Sequence, residues 1–168
     1  MGPPLPRDPI ADAQRNWESH GWGDVAAPMA AITAIMRTQQ ILLARIEGAL
    51  KPFGLTFARY ELLALLSFAR SGALPMNKAS ALLQVHPTSV TNAVDRLQTA
   101  GLVVRSPHPT DGRTTLIKLT AEGRTLAKRA TAVLNTEVFA RSGFGEGDVT
   151  QLIRILGDFR RGAGDFTD

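Results

Sequence analysis

The stretch HPTSVTNAVDRLQTAGLVVR, residues 86–105, has the pattern of a helix with clear ends and two distinct faces. Pro87 suits the first helical turn, where its missing backbone N–H leaves no bond unmade, and Gly101 suits the carboxyl end. Between them Val90, Val94 and Leu97 recur at helical spacing, which predicts a face that packs on a core. The other face carries hydroxyls, an amide and a guanidinium, from Thr88, Ser89, Asn92 and Arg96.

The segments around this helix predict a helix-turn-helix followed by a hairpin. Thr56 suits the N-cap of a helix through residue 70, and a short helix over residues 76–83 follows Pro75. Apolar residues of the first of these helices, Tyr60, Leu63 and Leu66, recur at helical spacing. Downstream, residues 102–105 and 115–119 are short apolar or β-branched runs joined by turn formers. This is the order of a winged helix-turn-helix, in which the second helix of the pair enters the major groove.

Further helices are predicted on both sides of this module. Residues 24–51 carry a helical pattern of apolar residues that Pro52 and Gly54 end: Ile32, Met36, Ile41, Leu42, Ile46 and Leu50. Thr120 opens a helix to about residue 140, and residues 144–148 break it before a last helix over residues 149–161. Residues 1–10, with four prolines, predict an irregular arm before a short helix over 12–20. The predicted fold is mainly α with a small β-hairpin wing.

Composition excludes several classes of function. The 168 residues, 44% of them hydrophobic, suffice for one domain with a core. The absence of cysteine excludes disulfides, thiolate metal ligands and cysteine redox sensing. The amino-terminal residues do not resemble a signal peptide, and the most apolar run, residues 25–36, is shorter than the roughly 20 residues of a membrane span. We therefore expect a cytoplasmic protein that does not enter the membrane.

The positive charge lies in the middle of the chain. The net charge is +4, and residues 75–120 carry five basic residues against two acids. Three of the four net charges thus lie in this window, which predicts that it faces a polyanion.

The stretch 86–105, followed by DGRTTLIKLTAEG over residues 111–123, resembles the recognition helix, wing and following helix of MarR-family regulators. The resemblance spans about residues 28–162, and its most specific part is the wing signature, met by Asp111, Arg113, Leu119, Thr120 and Gly123. It implies a homodimer whose first and last two helices interleave, with a palindromic double-stranded DNA site. The implied organisation is an N-terminal arm (1–23), a winged module (56–119) and a helical dimerisation region (24–55 and 120–168).

The same resemblance implies which residues contact DNA. Thr88, Ser89 and Asn92 fall at base-facing positions, with Thr91 in the same DNA-contacting set, and Lys78 and Arg96 fall near phosphates. Arg113 would enter the minor groove, held by Asp111. Gly112 and Asn92 stand where other members carry arginine, and an asparagine suits bidentate pairing to adenine. Structural alternatives remain: Thr88 as a helix cap, Asn92 as a solvated amide, Arg96 paired with a neighbouring carboxylate, and Arg113 as a solvated loop arginine.

Trp17, His20 and Trp22 allow two interpretations. They either extend the core over the long helix or roof a ligand cavity, where family members bind small aromatic acids. His20, His86 and His108 are too scattered to predict a metal site, and no cofactor is predicted. No nucleophile-elbow or phosphate-loop motif occurs, so we expect no enzyme. The prediction is a ligand-responsive DNA-binding regulator, most simply a repressor; the alternative is a winged module for protein contacts without specific DNA binding.

Overall fold

The computed structural model describes residues 4–83, 87–108 and 114–167. It is mainly helical with a small antiparallel sheet, which confirms the predicted fold class. In chain order the elements are α1 (Pro9–Ser19), α2 (Gly23–Leu50), a 3₁₀ turn (Lys51–Phe53), α3 (Phe57–Phe68), β1 (Ala73–Pro75), α4 (Met76–Leu83), α5 (Pro87–Thr99), β2 (Val103–Pro107), β3 (Thr115–Leu119), α6 (Ala121–Leu134), a π-helical turn (Asn135–Phe139) and α7 (Glu146–Gly162).

The core lies beneath α5. Val90, Val94 and Leu97 are at most 1% exposed, so the predicted apolar face of α5 is buried along its length. These residues share one apolar cluster with leucines of α3, with Ala79 of α4 and with alanines of α6. Because its inner face is held by this cluster, α5 presents its outer face at a fixed orientation.

The sheet has the order β1-β3-β2, with both pairs antiparallel. In the β2–β3 hairpin, Val103 lies opposite Leu119 and Arg105 opposite Ile117, which confirms the predicted pairing of these two runs. The sequence gives no sign of β1, because it is three residues long, shows no alternation and ends in Pro75. Its place at the sheet edge is one that tolerates a proline.

The start of α6 is held against the start of the hairpin by hydrogen bonds and close packing. Thr120 caps α6, since its hydroxyl oxygen accepts a hydrogen bond from the Gly123 backbone N–H at 2.9 Å. The same hydroxyl lies 2.9 Å from the Gly101 carbonyl oxygen and 3.0 Å from that of Leu102, to which it can donate. A Cβ atom on Gly123 would stand 2.0 Å from the Leu102 carbonyl oxygen, so only glycine fits. Thr120 and Gly123 of the wing signature therefore have structural roles, and Leu119 of the same signature is buried in the core.

The predicted bounds of α1, α6 and α7 differ most from the observed ones, while the helix predicted through residue 70 ends two residues earlier, at Phe68. α1 begins at Pro9 because Asp8 caps it, its side chain accepting from the Ile10 N–H at 2.9 Å. α7 begins at Glu146 because the side chain of Asp148 accepts a hydrogen bond from the Gly145 N–H at 3.3 Å, which stabilises the glycine-rich start. The helix that begins at Ala121 changes at Asn135 to the wider π pattern.

The flanking helices leave apolar side chains in solvent. α1 packs against α2, whose buried residues are Ala26 and Leu50, and none of the seventeen residues of α7 is buried. Large exposed side chains on α2 and α7 include Ile32, Ile35, Met36, Ile153 and Phe159. Arg45 of α2 donates to the carbonyl oxygens of Arg141 and Ser142, at 2.7 and 3.2 Å, and so ties α2 to the segment before α7. In the described part of the chain, no helix is long and apolar enough to cross a membrane.

Candidate nucleic-acid interface

The outer face of α5 is polar and exposed. Thr88, Ser89, Thr91, Asn92 and Arg96 are all solvent-exposed, on the helix whose other face is buried. Lys78 is exposed on α4, the preceding helix of the pair. The structure thus places the described members of the predicted DNA-contacting set at the surface of the module. Asp111 and Arg113, the predicted wing residues, lie outside the described residues, as does His86.

Arg105 of β2 braces the side of α5 that faces the hairpin. Its guanidinium donates to the Asp95 carboxylate and to the Gln98 side-chain oxygen, both at 2.6 Å. Asp95 is therefore paired with the hairpin, whereas Arg96 forms no ion pair with any described carboxylate. The alternative in which a neighbouring acid neutralises Arg96 is not found among the described residues, and its guanidinium is available to an external anion.

A polar cleft lies on the opposite side of α5, where this helix meets the start of α3. It has a volume of about 480 Å³ and is lined by Thr56, Ala58, Arg59, Ser89, Asn92, Ala93 and Arg96. Two guanidinium groups, an amide and hydroxyls share this space, and none of the described residues lining it is acidic. Such a set of hydrogen-bond donors suits an anionic or polar ligand surface.

Sequence reasoning missed Arg59. Its Nε donates a hydrogen bond to the Thr56 hydroxyl at 3.1 Å. Thr56 stands at the predicted N-cap position of α3, but its side chain caps no backbone amide. A basic residue in the first turn of a helix is unfavourable because it lies at the positive end of the helix dipole. This unfavourable position is the signal in the sequence that could have identified Arg59 as a functional residue. Its closeness to Asn92 and Arg96 comes from the packing of α3 beside α5.

Trp17, His20 and Trp22 form an aromatic cluster at the turn between α1 and α2. The Trp17 and Trp22 ring centroids are 5.3 Å apart in an edge-to-face arrangement, and the His20 ring stacks on Trp22 at 5.9 Å. Trp22 is 53% exposed, and none of the three belongs to the buried core. Both the core-extending role and the ligand role of the cluster stay predictions.

An apolar groove of about 530 Å³ lies between α2 and α7. Its lining consists of Ala34, Ile35, Thr38, Gln39, Leu42, Leu43, Ile46, Phe57, Phe144, Leu152 and Leu156. The aromatic cluster does not contribute to this lining.

Known proteins resemble both the chain and its fold. The sequence profile of the MarR family matches residues 53–114. The HTH-type transcriptional repressor Mb2911 of Mycobacterium bovis is 34% identical over 100 residues, which are 60% of this chain and 70% of that protein. The family profile covers the helix-turn-helix, and both matches confirm the expectation of a transcriptional regulator in place of an enzyme.

Solved structures extend the likeness to the flanking helices. Sco5413, a MarR family transcriptional regulator from Streptomyces coelicolor, is 47% identical with a TM-score of 0.76, over 84% of this chain and 99% of that one. Sco3205 from the same organism, solved in complex with DNA, shares the fold at 22% identity and a TM-score of 0.70, over 79% of this chain and 85% of that one. By sequence and by structure, this chain belongs to the MarR family of transcriptional regulators.

Proposed function

We propose that this regulator is a repressor that binds a palindromic DNA operator as a homodimer and releases it when a small ligand binds. One observation carries the DNA-binding part: α5 is anchored by a buried apolar stripe and holds Ser89, Asn92 and Arg96 exposed on its other side. A relative named as a transcriptional repressor and a fold shared with a protein solved on DNA support this proposal.

Asn92 and Arg113 are assigned different parts in this recognition. An asparagine amide on the exposed side of a recognition helix can pair with a base edge, and a good bidentate pair contributes roughly 1–3 kcal/mol of discrimination. Arg113, in the segment between the two strands of the wing, acts mainly through charge toward a minor groove whose hydrogen-bonding pattern is degenerate.

A salt titration of wild type, Asn92→Ala and Arg113→Ala tests these roles against matched and scrambled operators. Asn92→Ala should lose discrimination, whereas Arg113→Ala should weaken binding to every sequence and make the salt slope shallower by about one per protomer. If wild type shows no salt-dependent binding to its own upstream DNA, the chain is a winged module for protein contacts and the proposal is wrong.

The exposed apolar residues of α2 and α7 support the proposed homodimer. Ile153 and Phe159 are 69% and 74% exposed on a helix that buries none of its own residues, so a second copy covering them removes apolar area from water. A two-fold dimer presents two α5 helices symmetrically, which calls for a palindromic site.

Light scattering at micromolar concentration should show a dimer, and deletion from Val149 onward should abolish dimer formation and operator binding together. Phe159→Ser should weaken the dimer, while Phe68→Ser, a matched change at an exposed phenylalanine at the end of α3, should not. A monomeric wild type with unchanged DNA binding would contradict the dimer.

Ligand response requires a molecule that binds the DNA-free arrangement better than the DNA-bound one. We propose a small aromatic acid, bound under the aromatic cluster or in the apolar groove between α2 and α7. The groove joins α2, α7 and Phe57 at the start of α3, so its occupant would contact both flanking helices and the winged module. Thr38 and Gln39 provide its polar side chains, so we expect an aromatic ring to be the buried part of a ligand there.

Calorimetry with a panel of phenolic and purine acids tests this response, using two variants that separate the two places. Trp22→Ala removes the proposed roof, and Leu42→Trp fills the groove. If binding and DNA release survive Trp22→Ala but not Leu42→Trp, the roof is wrong and the groove is the site. Failure of every acid to bind wild type contradicts the ligand class.

A further inference from the structure

Thr56 and Arg59 combine two local arrangements that do not favour the stability of α3. A basic side chain in the first helical turn is opposed by the positive end of the helix dipole. Thr56 has the extended backbone of an N-cap (φ −88°, ψ 164°), but its hydroxyl accepts from the Arg59 Nε at 3.1 Å and caps no backbone amide. Departures from local rules of stability are expected where a side chain serves binding.

The hydrogen bond from Arg59 to Thr56 leaves the terminal N–H groups of Arg59 for other partners. Neither Arg59 nor Arg96 forms an ion pair with a carboxylate in the described ranges. Both line the polar cleft, in which Ser89 and Asn92 provide the remaining polar side chains of α5. On its other side Arg59 borders a second depression, whose charged lining residues also include Lys51 and Glu47.

A guanidinium in a polar cleft with a second guanidinium and no lining carboxylate is suited to a phosphate diester. Ser89, Asn92 and Arg96 follow one another along a single side of α5, at the spacing of successive helical turns. A DNA strand that runs along this side of α5 would bring a backbone phosphate to the cleft. Arg59 comes from a different helix and flanks α5, which suits contact with the backbone better than with a base edge.

We infer that Arg59 binds a backbone phosphate of duplex DNA, together with Arg96, and that Thr56 is a positioning residue that orients the Arg59 guanidinium. This inference rests on the proposed function, and it extends the DNA-contacting surface beyond the helix-turn-helix to the start of α3. It assigns the two guanidinium groups of the cleft, Arg59 and Arg96, to the sugar–phosphate backbone, and it leaves discrimination between bases to Asn92.

The test compares wild type, Arg59→Gln, Arg59→Lys and Thr56→Val in the 168-residue chain. Arg70→Gln is the matched control, because Arg70 is exposed just past the other end of α3, roughly 15 Å along the helix axis. Affinity is measured for operator and scrambled duplexes at several salt concentrations. Thermal unfolding of each variant checks that the fold is kept.

Arg59→Gln should weaken binding to both duplexes by the same factor and reduce the salt slope by about 0.9 per protomer, close to two per dimer. Arg59→Lys should restore the salt slope but not the full affinity. Lysine keeps the positive charge but lacks the planar guanidinium that can form two parallel hydrogen bonds with a phosphate. Thr56→Val should keep the slope and weaken operator binding about 2–10-fold, the range of one lost hydrogen bond. Arg70→Gln should bind with the wild-type slope.

Two results would overturn the inference while leaving the proposed function standing. The first is that Arg59→Gln binds DNA with the wild-type affinity and salt slope, while Asn92→Ala still loses discrimination between operator and scrambled duplexes. The second is a changed ratio of operator to scrambled affinity in Arg59→Gln, which would make Arg59 a base-reading residue. If wild type itself shows no salt-dependent DNA binding, the proposed function fails and the inference fails with it.

Discussion

Gly123→Ala should destabilise the protein, although alanine is the better helix former. The added Cβ would lie 2.0 Å from the Leu102 carbonyl oxygen and 2.9 Å from Leu119 Cδ1. The carbonyl cannot easily retreat, because it also accepts from the Thr120 N–H at 3.1 Å and stands 3.0 Å from the Thr120 hydroxyl. The start of α6 must therefore move away from the hairpin.

The size of the effect follows from two opposing contributions. Forced overpacking of this kind costs typically 1–3 kcal/mol and occasionally more, while replacing a helical glycine by alanine contributes up to about 1 kcal/mol. The 2.0 Å approach to a backbone carbonyl places this site at the upper end of that range, so we expect a net loss of about 2 kcal/mol in the free energy of unfolding. For a chain of this length, that corresponds to a Tm lower by roughly 4–8 °C.

Calorimetry of wild type, Gly123→Ala and Gly48→Ala tests this reasoning. Gly48 lies within α2 and a Cβ there would meet nothing within 4 Å, so the same substitution should leave Tm unchanged or raise it. Opposite signs for the two variants support the close approach at Gly123. An unchanged or higher Tm for Gly123→Ala would show that α6 can shift without cost and would refute the argument.

Two further predictions concern α3 and the brace on α5. Burial raises the pKa of Glu61, so its ionisation opposes folding: the stability of wild type falls as pH rises through this raised pKa. Glu61→Gln should accordingly be more stable than wild type at pH 7, with the difference vanishing below the ordinary glutamate pKa; equal pH profiles of urea unfolding would contradict this. Arg105→Gln should weaken DNA binding, because it releases the Asp95 carboxylate beside the exposed face of α5, and Asp95→Asn should restore the affinity in the double variant. If the double variant binds as weakly as Arg105→Gln alone, Arg105 acts on DNA directly.

Much of the fold could be predicted because its signals are local. Helical spacing identified Val90, Val94 and Leu97 as the buried side of α5, and two short apolar or β-branched runs joined by turn formers identified the β2–β3 hairpin. Where a short-range contact changed an element's end, prediction failed: the capping by Asp8 and by Asp148 moved the starts of α1 and α7.

The candidate interface was only partly predictable. The exposed residues of α5 follow from periodicity, since the side of a helix that is not buried must face outward. Arg59 could not be assigned to it, because Arg59 lies about thirty residues before Ser89 and reaches the same cleft only through the packing of α3 against α5. The ion-pair partner of Asp95 could not be predicted either. Arg96 is adjacent to Asp95 in sequence, but the structure pairs Asp95 with Arg105, which lies ten residues further along the chain.

By itself, the sequence determined the order of the elements, the buried side of α5 and the family to which the chain belongs, because periodicity, turn chemistry and a spaced motif are properties of neighbouring residues. The tertiary structure decided the edge strand β1, the cleft between Arg59 and Arg96, the brace from Arg105 to Asp95 and the need for glycine at position 123. Each of these depends on a distance between atoms of different elements, and such distances are set by how the whole core packs.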